Sequence, residues 1–144
     1  MKSYPSIQNS TGKNFTEFVA FVFNKLDGSN LRFEWNKKSG WGKYGTRHRL
    51  FDESDEVFGG AISTFHEIYA DELEKIAKKN NWQQIVAYAE FWGKESFAGL
   101  HQPNDPKFLN LIDVDVYKKC IIGPKQFLDY FGHLPIAKFL GQYK

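Results

Sequence analysis

Three runs of aromatic and β-branched residues, with one stretch of helical period between them, limit what this chain can fold into. The first run spans residues 15–35, where "DGSN" at 27–30 splits a Phe- and Val-rich segment into two strands. The second is "QQIVAYAEFWG" at 83–93 and the third is "FLNLIDVDVY" at 108–117. "NKKSG" at 36–40 reads as a turn, after which "GWGKYGTRHRLF" returns as a further strand. "DESDEVFGG" at 52–60 reads as an acidic loop. In "STFHEIYADELEKIAKKNN", Phe65, Ile68, Tyr69, Leu73, Ile76 and Ala77 recur at three- and four-residue spacing, the mark of an amphipathic helix. Ser63 or Thr64 is positioned to cap its start, and Lys78 and Lys79 suit its negative end. "GPKQFLDYFG" predicts a short helix with Pro124 in its first turn. Residues 1–14 read as a polar lead-in around Tyr4 and Ile7, and "HLPIAKFLGQYK" at 133–144 shows no clear period. Early hairpins with helices inserted between strands predict an α+β fold with antiparallel sheets rather than a wound parallel one.

A chain of 144 residues suits a single domain, here residues 1–144. Aromatic residues make up 17% of it, so bulky rings must fill much of the core. The formal charge of +2 excludes neither a nucleic acid nor a small anion as partner, because local clusters outweigh the sum. A single cysteine, Cys120, cannot form an internal disulfide, and no apolar run approaches the ~18 residues of a membrane span. The expectation is a cytoplasmic protein in which Cys120 is a buried thiol. His48, His66, His101 and His133 lie far apart with no cysteine at metal-ligand spacing, so they read as surface or packing residues.

Four stretches carry candidate chemistry. "KLDG" sets Lys25 two residues before Asp27 and three before Gly28. A lysine at its ordinary pKa of ~10.4 is a poor nucleophile, and it becomes a good one when nearby positive charge or desolvation lowers that value. The plain alternative is an ion pair of Lys25 with Asp27 at a strand end. "GKYGTRHRLF" gathers Lys43, Arg47, His48 and Arg49, either a solvated basic strand or a rim for phosphates. Glu90 stands between apolar neighbours in the second run, where a half-buried carboxylate needs a partner such as a ribose hydroxyl or the attacking lysine. In "LIDVDVY", Asp113 and Asp115 alternate with Ile112, Val114 and Val116, either simple strand alternation or an apolar wall for a base beside a carboxylate.

Taken in order, K-x-D-G-[ST]-N, the basic "KYGTR", "AEFWG" and the "IDV" strand resemble the covalent nucleotidyltransferases, in particular the RNA ligases of the phage and trypanosome-editing type. The opening "YPSIQN" is similar to their N-terminal stretch, and the resemblance covers roughly residues 4–135. It implies an adenylation domain with ATP-grasp-like ligase architecture. It also implies a mechanism in which Lys25 attacks the α-phosphorus of ATP, with Mg²⁺ as companion, to form lysyl-AMP. The adenylate would then pass to a 5′-phosphate, and a 3′-hydroxyl would displace AMP to seal the strand, RNA being favoured.

The resemblance assigns Asp27, Gly28, Asn30, Arg32, Arg47, Glu90 and Ile112 to the nucleotide and its phosphates, with Glu90 at the ribose and Ile112 where an aromatic ring often stacks on adenine. Lys43, Arg47 and Arg49 would meet the nucleic acid, and no metal ligand is named. The family continues into an E-G-[VI]-V strand and a K-x-K strand that this sequence lacks, so "PIAKFLGQYK" is expected to be a connector leading toward them. Exposed sheet edges and self-association would follow. The alternative is a non-catalytic nucleotide- or RNA-binding remnant of such a ligase.

Overall fold

The structure, a computed structural model, describes residues 3–5, 19–96 and 100–144. Ile7 and residues 15–18, which the sequence places in the lead-in and the first strand, lie outside the described residues. The six-stranded sheet has the order β4-β3-β2-β5-β6-β7. Its strands are β2 (Ser29–Asn36), β3 (Gly40–Gly45), β4 (Leu50–Phe51), β5 (Gln84–Gly93), β6 (Lys107–Val116) and β7 (Cys120–Ile121). Every pairing in it is antiparallel. A second sheet of two strands pairs β1 (Ala20–Phe23) with β8 (Phe139–Tyr143). The α+β antiparallel expectation therefore holds, and the stretch at the C-terminal end, expected to be an aperiodic connector, is instead a strand.

Alternation along the central strands separates two faces. Leu31, Phe33 and Trp35 of β2, Ile85, Ala87, Ala89 and Phe91 of β5, and Leu109, Leu111, Val114 and Val116 of β6 are all buried in one core. Over that face runs one helical rod: α1 (Gly59–Phe65), a π-helical turn (His66–Ala70) and α2 (Asp71–Lys79). Phe65 stacks on Phe33 with ring centroids 3.9 Å apart, and Tyr69 packs behind it at 5.7 Å. The helix begins at Gly59, earlier than the expected caps. Ser63 and Thr64 lie inside it, and both hydroxyls donate to the Gly60 carbonyl. The start is set from the acidic loop, where the Asp55 carboxylate accepts the Val57 and Phe58 amides.

The other face is polar: Asn30, Arg32 and Glu34 of β2 stand beside Tyr88 and Glu90 of β5 and Asn110, Asp113 and Asp115 of β6. One irregularity sets what this face offers. Tyr88 pairs with Asp113 but Ala89 pairs with Leu111, so Ile112 is the extra residue of a β-bulge. Strict alternation would have put Ile112 in the core with Val114. The bulge turns it to the same side as Asp113.

The segment after α3 (Pro124–Phe131) is tied back to β6. The Leu111 amide donates to the Pro135 carbonyl and the Ala137 amide to the Leu111 carbonyl. The Tyr69 hydroxyl sits 2.5 Å from the Leu109 carbonyl oxygen and 2.6 Å from that of Pro135, joining the helical rod, the sheet and this segment. Cys120, expected to be buried, is exposed in the two-residue β7, and both it and Lys118 of the preceding turn adopt left-handed backbone.

Candidate functional site

A groove of about 1150 Å³ opens where the polar face of the large sheet meets β1 and the start of α3. Lys25, two residues past the end of β1, lines it. So do Asn30 of β2, Arg47 and Arg49 of the β3–β4 turn, Glu90 of β5 and Ile112 of the β6 bulge. Gly28 also lines it. These residues come from four separate stretches of the chain, and the sheet order brings them together.

The turn that carries Lys25 is clamped against β5. The Gly28 amide donates to Glu90 Oε1 at 3.1 Å. A Cβ at Gly28 would lie 2.2 Å from the Phe91 carbonyl oxygen, so only glycine lets the turn approach this closely. The close approach here is to the neighbouring strand, and Gly28 also lines the groove. Ser29 continues the clamp with a 2.8 Å hydrogen bond to His101, whose ring packs against Phe58 and Phe91.

Glu90 is half-buried, and desolvation pushes its pKa up to about 7. The Gly28 amide and the Arg47 and Lys25 charges pull the other way, while the Asp27 charge adds to the rise. This carboxyl group therefore changes charge near neutrality, within electrostatic reach of two cations that line the same groove. Asp113 is likewise raised by burial, against the stabilising hydrogen bond from Tyr4. The Tyr4 hydroxyl donates to Asp113 Oδ2 at 2.5 Å and its ring meets Tyr88 edge-on at 5.0 Å. Burial and the Asp113 carboxylate both hold the Tyr4 phenol above its ordinary pKa.

The groove is graded along its length. Ile112, Ile121, Pro124, Phe127 and Phe23 make one apolar end, in which Phe23 and Phe127 meet edge-on at 6.2 Å. The cationic end is the β3–β4 turn. There the Thr46 hydroxyl accepts the amides of His48 and Arg49, and Arg47 and His48 are held exposed at the tip. Arg49 is tied down: its guanidinium is 2.6 Å from Asp55 and 5.7 Å from the centre of the Phe58 ring.

Three expected residues lie outside the lining. Arg32 is on the polar face but only 7% exposed, its guanidinium laid across Gly45, where a Cβ would meet its Nε at 2.8 Å. Lys43 is exposed beside Glu34 on the neighbouring strand. Asp27 is exposed, and its charge reaches Glu90. Sequence reasoning missed Tyr4, Phe23 and Phe127 as groove residues. Tyr4 had no periodic context, and Phe127 looked like an ordinary apolar position of a short helix. His48 was noted only as one member of a basic cluster.

No family model and no curated protein sequence matches the chain. Among solved structures, it is similar to an archaeal ATP-dependent RNA ligase, with a TM-score of 0.65 at 16% identity. That match covers 99% of this chain and 38% of the ligase. It is also similar to an RNA ligase of Naegleria gruberi, a lysine-to-alanine mutant solved with ATP and Mn, with a TM-score of 0.56 at 16% identity. That match covers 87% of this chain and 37% of the other. The chain thus spans well under half the length of either ligase. At these identities the likeness is one of architecture, and the chain shares its fold with part of these RNA ligases.

Proposed function

We propose that the groove is an adenylation site, in which Lys25 takes AMP from ATP as the first step of RNA-end joining. The observation that carries this reading is the convergence of Lys25, Glu90, Ile112 and Arg47 from separate segments on one groove, in a fold shared with RNA ligases. The graded lining suits a nucleotide. Adenine would pack at the apolar end against Ile112, with the Phe23 and Phe127 rings close by, and the ribose hydroxyls would donate to the Glu90 carboxylate. The phosphates would lie toward Arg47, leaving the α-phosphorus near Lys25. Asn30 lines the stretch between.

The chemistry balances simply. The neutral Lys25 amine attacks the α-phosphorus, an N–P bond forms, the bond to the bridging oxygen breaks, and pyrophosphate leaves while the amine proton passes to solvent. Arg47 would offset negative charge on the phosphates and on the departing pyrophosphate. A similar solved ligase carries ATP and Mn, which supports a divalent ion as companion of the nucleotide. Among the described residues no group of three or more His, Cys, Asp or Glu side chains is placed to hold a metal. Such an ion would therefore rest chiefly on the phosphates, as Mg²⁺ commonly does.

A non-catalytic nucleotide-binding remnant would share the groove but not the covalent step. Incubation with ATP labelled at the α-phosphate and a divalent metal, followed by a denaturing gel, separates the two readings. Label that stays on the protein supports adenylation, whereas ATP that binds without becoming covalently attached supports the remnant. Transfer of that label to a 5′-phosphorylated RNA, with release of free AMP when a 3′-hydroxyl end is present, tests the later steps.

A further inference from the structure

Beyond Glu90, the polar face of the sheet carries a feature that adenylation does not use. Trp92 is two residues on from Glu90 along β5, and Phe108 is two residues before Asn110 along β6. The register pairs Glu90 with Asn110 and Trp92 with Phe108, so all four stand on the groove's side of the sheet. The two rings are close and nearly parallel, with centroids 4.7 Å apart and planes inclined by 30°. They are held there: Trp92 Nε1 donates to Asn110 Oδ1 at 2.8 Å, and Asn110 Nδ2 donates to the Ile136 carbonyl at 3.1 Å.

Residues on either side of the β5–β6 connection are tied to each other as well. The buried Asp105 carboxylate accepts the Glu95 amide at 3.0 Å and the Ser96 hydroxyl at 2.7 Å. Yet Phe108 remains 40% exposed, a large apolar ring facing solvent on a rigid strand. Nothing in core packing requires this, because β6 buries its other face in Leu109, Leu111 and Val114.

The pair also adjoins the Lys25 turn. A Cβ on Gly28 would lie 2.8 Å from the Trp92 Cβ, so the platform begins directly behind that turn. Exposed cations stand at both ends, Lys25 at the groove and Lys94 just past Gly93. A rigid aromatic face continuous with a cationic groove is the composition that holds unpaired bases while the backbone follows positive charge.

We propose that Trp92 and Phe108 form a stacking platform for an unpaired nucleobase of a single-stranded nucleic acid whose end is held over Lys25. The base would lie on the exposed face of Phe108 and extend the stack that Trp92 begins. The inference rests on reading the groove as a nucleotidyl-transfer site, but its test does not.

The test is binding of a short fluorescein-labelled oligouridylate, followed by anisotropy, beside the same backbone carrying abasic residues. Phe108→Ala should weaken binding of the oligouridylate about tenfold, the loss of roughly one stacked base. Phe108→Tyr should retain the wild-type affinity, and the abasic strand should bind the wild type and Phe108→Ala alike. Labelling of Lys25 from ATP should be the same in Phe108→Ala as in wild type, since the ring lies outside the nucleotide groove. Equal binding of oligouridylate by wild type and Phe108→Ala would overturn the platform, as would equal binding of the oligouridylate and the abasic strand by the wild type. If Lys25 never becomes labelled while Phe108→Ala still weakens base-dependent binding, the adenylation reading fails and the platform stands.

Discussion

Glu90 shows how much a single position is asked to do. Its carboxyl group closes the Lys25 turn through the Gly28 amide, faces two cations, and carries a pKa near 7 because burial outweighs those favourable contacts. The sign of its effect on stability follows. In the unfolded chain the group gives up its proton near 4.5, while in the fold it keeps it until about 7. Stability from this site is therefore fully present below the lower value, falls as pH rises between the two, and stays low above. Glu90→Gln should flatten that part of the profile, so that the melting temperatures of the two proteins diverge in favour of the variant as pH rises from about 4.5 to about 7 and stay apart above. Parallel profiles would show that Glu90 titrates as an ordinary surface acid.

Gly28 makes a second prediction at this scale. Gly28→Ala forces a methyl group against the Phe91 carbonyl and should cost about 1–3 kcal/mol in denaturant unfolding, by overpacking against backbone that cannot move aside. Of the motif residues, Lys25, Gly28, Asn30, Arg47 and Glu90 line the groove, whereas Asp27 and Lys43 of the same motifs do not, because a motif fixes sequence neighbours and not which of them faces the groove. Arg32 was not legible either, because whether an arginine on a strand reaches a ligand or is folded down over its neighbours depends on the partner strand. Here that partner residue is Gly45, whose missing side chain makes room for the guanidinium.

Among the elements, the helical rod and β6 decide the site. The rod packs on the apolar face through Phe65 and Tyr69, leaving the opposite face free to be polar. Phe65→Ala should cost about 3–5 kcal/mol, the usual loss for a large buried aromatic, read from chemical denaturation. Tyr69→Phe should cost about 1–2 kcal/mol by leaving buried carbonyls without their donor, and should speed amide exchange at Leu111 and Ala137, which bond the same segment. Unchanged exchange at those amides would mean that Tyr69 does not hold the segment. The strand runs and the helical period were legible in the sequence because burial imposes them locally. The bulge at Ile112 was not. A two-residue period cannot show where one residue has slipped, and here the slip is what brings an apolar side chain and a carboxylate to the groove together. β8 escaped notice for a related reason: it is a five-residue strand whose pairing with β1 is decided by long-range hydrogen bonds.

At the scale of the whole molecule, the proposed function sets a polyanion against the cationic end of the groove and the proposed platform behind Lys25. Affinity for RNA should fall steeply with added salt, and Arg47→Ala should reduce the slope of log K against log salt by about one, because one phosphate contact is lost. Lys43→Ala should leave that slope unchanged, since Lys43 stands away from the groove beside Glu34.

The central claim, that this groove exists to place Lys25 at the α-phosphorus of ATP, is tested most directly by peptide mapping after incubation with ATP and a divalent metal. The account predicts an AMP adduct on the peptide bearing Lys25, attached through its Nζ, and no adduct in Lys25→Ala under the same conditions. An adduct on another residue, or saturating ATP that occupies the groove and leaves Lys25 unmodified, would contradict it.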